Sequence, residues 1–244
     1  MGCGFIGSTI ASAIRAKKAD LELVSAFDAD EGKCASLGFK SCSFDEFLAS
    51  GFDIAVECAS QEAVKAYGNK VLSKGKSLLV MSVGALSDKM LLSSLLLSAR
   101  RSGAKLYISS GAIGGLDALS SAKFAGLDEV CLVTRKPPAS LGMDVAEETI
   151  VFEGSASDAV REFPKNINVA AAVALAGLGF EDTMVMLIAD PKVSTNIHEV
   201  RASGRFGSFS CSFDNLPSEN PKTSMLAAFS AIALLDRISG PLQF

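Results

Sequence analysis

The sequence predicts an α/β protein in two parts, a parallel sheet with helices on both faces followed by an α+β half built on an open mixed sheet. Three observations carry that reading. Short, continuous apolar runs of β type alternate with helical runs through the first 109 residues, the pattern of a parallel sheet buried on both faces. After Ser110 the rhythm changes, and later strands alternate apolar and polar side chains, as suits a sheet with helices on one face. Of the 244 residues, 49% are hydrophobic and 20% charged, which gives ample apolar surface to offset chain entropy and excludes a disordered chain.

The elements follow in order. The chain opens Met1-Gly2-Cys3-Gly4-Phe5-Ile6-Gly7 and runs directly into a helical pattern in which Ile6, Ile10 and Ile14 recur every fourth residue, ending near Lys17 and Lys18. Residues 21–27 are β-leaning and close on Asp28. Segments 43–49, 61–73 and 88–101 read as helices, and 53–58, 77–83 and 105–109 as strands. Beyond the glycine-rich stretch 111–115, helices are expected over 116–125, 155–162, 169–178 and 223–238. Strands are expected over 129–134, 149–152, 183–188, 196–202 and 208–213. In the last of these Phe209, Cys211 and Phe213 share one face, while Ser208, Ser210 and Ser212 share the other. No internal repeat or low-complexity linker separates the halves, so two intimate domains are expected.

Gly2, Gly4 and Gly7 form a G-x-G-x-x-G. The first glycine permits a tight turn, the second lets the backbone approach a pyrophosphate, and the third allows close helix packing, with the anion at the helix N-terminus. Such a Rossmann-type site wants a carboxylate about 20 residues on, at the end of the second strand. Asp28 fits that place. A carboxylate there accepts ribose hydroxyls and repels a 2′-phosphate. NAD is therefore favoured over NADP, although one carboxylate only biases the choice. The motif normally follows a strand, and here only Met1 precedes Gly2. The first strand is apparently missing: either the start is called too late, in which case upstream sequence should encode about six β-type residues, or the strand has been lost, and the first reading is favoured.

A net charge of −4 and a pI of 5.2 disfavour nucleic acid or an acidic membrane surface as partner. The six cysteines include no CxxC pair, and one histidine does not complete a common zinc pattern, so no metal is expected. Free thiols in a reducing compartment are the ordinary reading. No apolar run approaches the roughly 20 residues that span a bilayer, and the N-terminus lacks a signal-peptide core. A soluble, cytoplasmic protein is expected.

Several strings in the second half are more specific than any glycine fingerprint: Gly111-Ala112-Ile113-Gly114-Gly115-Leu116-Asp117-Ala118, Phe163-Pro164-Lys165-Asn166-Ile167-Asn168-Val169-Ala170-Ala171, Ala189-Asp190-Pro191, Asn196-Ile197-His198-Glu199 and Asn220-Pro221-Lys222-Thr223-Ser224. With the N-terminal motif, and in this order over nearly the whole chain, they resemble the L-aspartate dehydrogenase family. The departure is the missing first strand. The resemblance implies NAD(P)-dependent oxidative deamination of L-aspartate to iminoaspartate, feeding NAD synthesis. It puts the catalytic histidine at His198 and cofactor contacts at Ala112 and Asn168. It also implies a homodimer in which residues 1–109 and 214–244 form the dinucleotide-binding domain and 110–213 the catalytic, substrate-binding domain.

The residues suit these roles on their own terms. His198 is the only histidine, and an unperturbed imidazole, titrating near pH ~6.5, can exchange a proton with substrate or water. The plainer reading is a solvated or core histidine on a strand. Asn168 offers a donor and an acceptor at a helix start, where asparagine also serves as an N-cap. Ala112 can act only through main chain and shape. A dicarboxylate substrate needs cations, and Lys165, Lys222, Arg201 and Arg205 are candidates, with Lys165 foremost. Two other readings compete: a semialdehyde dehydrogenase using Cys58 as nucleophile, and a non-catalytic NAD-binding sensor or interaction protein.

Overall fold

The structure is a computed structural model that describes residues 1–16, 20–163, 167–216, 218 and 224–242. It divides into two units, Met1–Ser109 with Ala228–Phe244, and Ser110–Ala227. Residues 214–227 thus cluster with the second unit.

The first unit holds α1 (Phe5–Arg15), α2 (Glu31–Ser36), α3 (Phe44–Ala49), β1 (Ile54–Glu57), α4 (Gln61–Ser73), β2 (Ser77–Val80), α5 (Lys89–Ser102) and β3 (Leu106–Ile108). The strands form a parallel sheet in the order β1-β2-β3. Helix starts are set by side chains that satisfy otherwise unbonded amides. Ser43 and Glu46 form a capping box on α3, Ser60 caps α4, and Asp88 accepts from the amides of Met90 and Leu91 at the start of α5. The core joins Ile10 and Ala13 of α1 to Leu79 and Met81, and to Ala231, Ile232 and Leu235 of the last helix.

The strand expected over 21–27 does not form, and the reason is physical. In a parallel sheet that segment needs a neighbour between itself and β1. Among the described residues, Met1 and Gly2 alone occupy this place. The Met1 nitrogen donates to the Val56 carbonyl (2.9 Å), its carbonyl accepts from the Cys58 amide (2.8 Å), and the Gly2 amide donates to the Phe27 carbonyl (2.8 Å). Farther along, a cavity of about 580 Å³ separates the two segments, lined by Leu21, Leu23, Val24, Ile54, Val56 and Leu235 among others. Without a ladder of hydrogen bonds, 21–27 is not a strand. α2 was not anticipated in the sequence; Asp30 caps it by accepting from the Gly32 amide.

The second unit holds α6 (Leu116–Ala125), β4 (Leu127–Lys136), β5 (Thr149–Ser155), α7 (Ala156–Glu162), α8 (Asn168–Ala176), β6 (Thr183–Ala189), β7 (Asn196–Gly204), β8 (Gly207–Asn215) and the start of α9 (Met225–Ser239). The sheet order is β5-β6-β4-β7-β8, with β4 and β6 parallel and the other pairs antiparallel. It is the open mixed sheet that the alternating strands predict.

Candidate active site

Strand register fixes the site. Side chains alternate across a strand, so every second residue of β6, β4, β7 and β8 lies on one face. On the buried face, Val130 and Leu132 of β4 stand beside Ala202 and Val200 of β7, which stand beside Phe209 and Cys211 of β8. This is an aliphatic floor, and α6 and α8 pack against it. Two rows on, the same face turns polar. Thr134 pairs with His198, and His198 with Phe213. Beyond the last β4–β7 pair, Arg135 with Ile197, the same register runs on toward Lys136 and Asn196, and Asn196 pairs with Asn215. Thr134, Lys136, Asn196, His198 and Asn215 are all buried.

His198 is only 4% exposed, so the solvated reading falls. Its Nδ1 lies 3.0 Å from Thr134 Oγ1. Burial, and then the positive charge of Lys136, hold its pKa down at about 3. The imidazole is therefore neutral at pH 7. The Asn215 amide donates to the Ala112 carbonyl (2.9 Å), tying the glycine-rich loop to the row beside His198. Gly114 lets that loop lie on the sheet, because a Cβ there would stand 3.1 Å from the Phe213 ring. The structure thus brings His198 and Ala112 together through Asn215.

Other expected cations fall elsewhere. Arg201 is on the opposite, exposed face of β7 and is bonded to Glu199 (2.7 Å). Arg205 sits at the turn between β7 and β8, against Gly126. Lys165 and Lys222 lie outside the described residues. Asn168 is the first helical residue of α8, and Ile167 takes the cap position without a side-chain cap bond, so Asn168 is not the N-cap its type suggests.

In the first unit each glycine of the fingerprint has a distinct task. Gly2 adopts φ +85, and a Cβ on it would come within 2.6–2.8 Å of the Cys58 and Ala59 backbone. On Gly7 a Cβ would run into the Gly2 carbonyl. Beside Gly4 there is open space, and α1 begins there with no side-chain cap and no acidic residue in its first turn. The loop therefore packs over the end of β1 through two glycines and leaves its third side, with uncapped helix amides, to an anion. That arrangement fits a pyrophosphate. Asp28 is joined to the same loop, accepting from the amides of Cys3 (2.7 Å) and Asp30 (2.9 Å). Burial pushes the Asp28 carboxyl up, but those amides outweigh it and hold it below the ordinary carboxylate value.

Two further groups bear on the site. Glu57, fully buried, accepts from the amides of Ala59, Ser60 and Ser82 and from the Ser82 hydroxyl, which fixes the loops after β1 and β2. Burial raises its pKa against those four bonds. Burial also pushes the Cys58 thiol up to about 12, so it is protonated at pH 7 and is no nucleophile.

Comparison with known proteins now adds to the geometry. Residues 117–238 match the family model described as aspartate dehydrogenase, C-terminal, and residues 2–109 that described as homoserine dehydrogenase, NAD binding domain. An L-aspartate dehydrogenase from Methanosarcina mazei is 47% identical over 262 residues, covering 100% of this chain and 97% of its own. The chain belongs to the L-aspartate dehydrogenase family. A crystal structure of aspartate dehydrogenase from Thermotoga maritima superposes with a TM-score of 0.82 at 33% identity, covering 100% of this chain and 96% of its own. A hyperthermophilic archaeal homoserine dehydrogenase in complex with NADPH, 12% identical at a TM-score of 0.63 and covering 100% of this chain and 98% of its own, shares the fold alone. Family membership makes the chain an oxidoreductase with a pyridine-nucleotide domain, as the glycine loop requires.

The sequence did not point to Thr134, Lys136, Asn196, Asn215 or Glu57 as site residues. A signal was present for the first two: they continue the period-2 face begun by Val130 and Leu132, and a lysine in a core register is rare.

Proposed function

We propose that this protein catalyses the NAD-dependent oxidative deamination of L-aspartate to iminoaspartate, with His198 as the acid–base group. The observation that carries the reading is a neutral, buried imidazole whose Nδ1 is engaged by Thr134 and whose second nitrogen remains for substrate. With Nδ1–H donating to Thr134, Nε2 holds a lone pair. That atom takes the proton which the substrate ammonium must release before its nitrogen can form the C=N bond. When bound, the nicotinamide supplies the acceptor for the hydride that leaves the α-carbon. The Ala112 carbonyl, fixed by Asn215, and Asn168 are the expected contacts of the cofactor in the second unit. In the first unit the backbone around Gly4 receives the pyrophosphate, and Asp28 accepts from the ribose.

The direct test is NADH formation from L-aspartate and NAD at alkaline pH, followed at 340 nm. A folded protein that forms no NADH from L-aspartate with either NAD or NADP overturns the reading. For cofactor choice, Asp28→Ala is expected to narrow the preference for NAD over NADP by roughly tenfold, the worth of a charged hydrogen bond. An unchanged ratio would remove Asp28 from the ribose site.

A further inference from the structure

We propose that Lys136 is the receptor for a carboxylate of the substrate, and so a residue that sets specificity for an acidic amino acid. This assignment rests on the aspartate reading and concerns the same site. Lys136 ends β4 and is 4% exposed, on the face that carries Thr134 and His198. Among the described residues its ammonium has no hydrogen bond and no ion pair. The adjacent acidic residue, Asp190, is already engaged: its carboxylate lies 3.5 Å from the Arg135 guanidinium, on the opposite face of β4, and accepts from the Lys192 amide.

A buried cation without an anion is costly: burial holds the Lys136 pKa below the ordinary lysine value, and proteins seldom keep such a group that does nothing. Asn196, the residue that the register brings up next after the Arg135–Ile197 pair, is a neutral donor and acceptor that suits an oxygen-rich ligand but does not balance charge, while the Asn215 amide is already bonded to the Ala112 and Phe213 carbonyls. One ligand class satisfies the whole row. A carboxylate beside Lys136 pairs its charge and accepts from an asparagine amide, and it puts the rest of an amino acid within reach of His198 in the next row.

The placement also explains a difficulty in the chemistry. An imidazole held at about 3 is a feeble proton acceptor. Lys136 is the charged group acting on His198 from β4, while β8 presents the uncharged Phe213 and Asn215. A substrate carboxylate offsets the lysine charge, and the basicity of His198 rises when substrate is present. That relieves the smaller of the two causes, while burial, the larger, remains.

The test compares Lys136→Met and Lys136→Arg with the wild type in three measurements. In the absence of ligand, Lys136→Met is expected to melt at the same temperature or higher, because an apolar chain replaces an unpaired buried ammonium. A lysine with a structural role would make that variant melt lower. In turnover, Lys136→Met is expected to raise KM for L-aspartate roughly a hundredfold, with a smaller change in kcat and partial rescue by Lys136→Arg. Run with L-asparagine and L-alanine, the same variants say which carboxylate is held: loss of the preference for aspartate marks the side-chain carboxylate, and an equal loss for all three marks the α-carboxylate. An unchanged KM overturns the proposal. The third measurement is the thermal shift given by succinate, which does not react. A shift that disappears in Lys136→Met supports the assignment even where the wild type shows no turnover, in which case only the aspartate reading falls. A shift that survives in Lys136→Met sinks the assignment.

Discussion

The two ends of one sheet face in the second unit make different uses of the same strands. At one end Val130, Leu132, Val185 and Val200 are buried aliphatics, interrupted by the buried Thr183 beside Val130. Two residues farther along the same strands, Thr134, Lys136, Asn196 and His198 are equally buried but polar. Strand period and register treat both ends alike, so the difference lies in side-chain chemistry alone. The aliphatic end contributes stability through burial, at about 25 cal/mol per Å². The polar end holds a lysine whose pKa burial lowers and an imidazole whose pKa burial and that lysine lower, so desolvation there costs stability, for the histidine only as pH falls below about 6.5. On the proposed reading, fold and function are divided along the strands rather than between them.

The largest effects should separate the two ends cleanly. His198→Ala is expected to lower turnover by roughly two or more orders of magnitude while NAD binding persists, read from kcat and from cofactor fluorescence. A fully active variant would take His198 out of the mechanism. Leu132→Ala, at the aliphatic end and 1% exposed, should do the reverse. It is expected to cost about 2–5 kcal/mol of stability in denaturant unfolding. Its KM for aspartate should stay near the wild-type value under conditions where it is folded. If Leu132→Ala raised KM as much as a change at Lys136, the division along the strands would be wrong.

Most of this plan is written in local sequence, and the exceptions share a cause. Helix starts are legible because a cap and its amide lie within three residues, as in Ser43 with Glu46. β8 is legible because its alternation of serine with phenylalanine and cysteine is self-contained. The segment 21–27 has the composition of a strand, yet strand formation is decided by a neighbour, and composition does not report that. Lys136 fails for the same reason. Asn196 and Asn215, which pair with each other, arrive from two later strands, and only the register carries them toward its end of β4. The family strings led to His198 and Ala112, and the Asn215 bond gives a physical reason for placing them together. Arg201, attractive as a cation near the histidine in sequence, sits an odd number of residues away and so faces the other way. Period-2 counting excludes it once the strand is accepted.

A finer test acts on the acid side of the stability curve. The folded value of His198 is about 3, below the ~6.5 of an unfolded chain. As pH falls below about 6.5 the unfolded state takes up a proton that the folded state refuses. The stability present above that pH is therefore lost progressively toward 3. The difference between wild-type and His198→Ala stability curves should accordingly slope between pH 6.5 and 5. Glu57, whose raised value acts with the opposite sign, is common to both proteins and drops out of the difference. A flat difference would mean that the imidazole is solvated.

The smallest effect concerns what aims the base. Thr134 Oγ1 engages Nδ1 at 3.0 Å and so, in the proposed mechanism, leaves Nε2 for substrate. Thr134→Val keeps the shape and removes that partner, at a cost of about 1 kcal/mol, or roughly fivefold in kcat. KM should hardly move, because the row proposed to bind the carboxylate is untouched. Thr134→Ser should restore the rate, since it returns the hydroxyl while losing only a methyl group. Packing alone would give the opposite order, with valine the better replacement. The comparison of these two variants therefore asks whether the polar end works through hydrogen-bond direction or merely through fit.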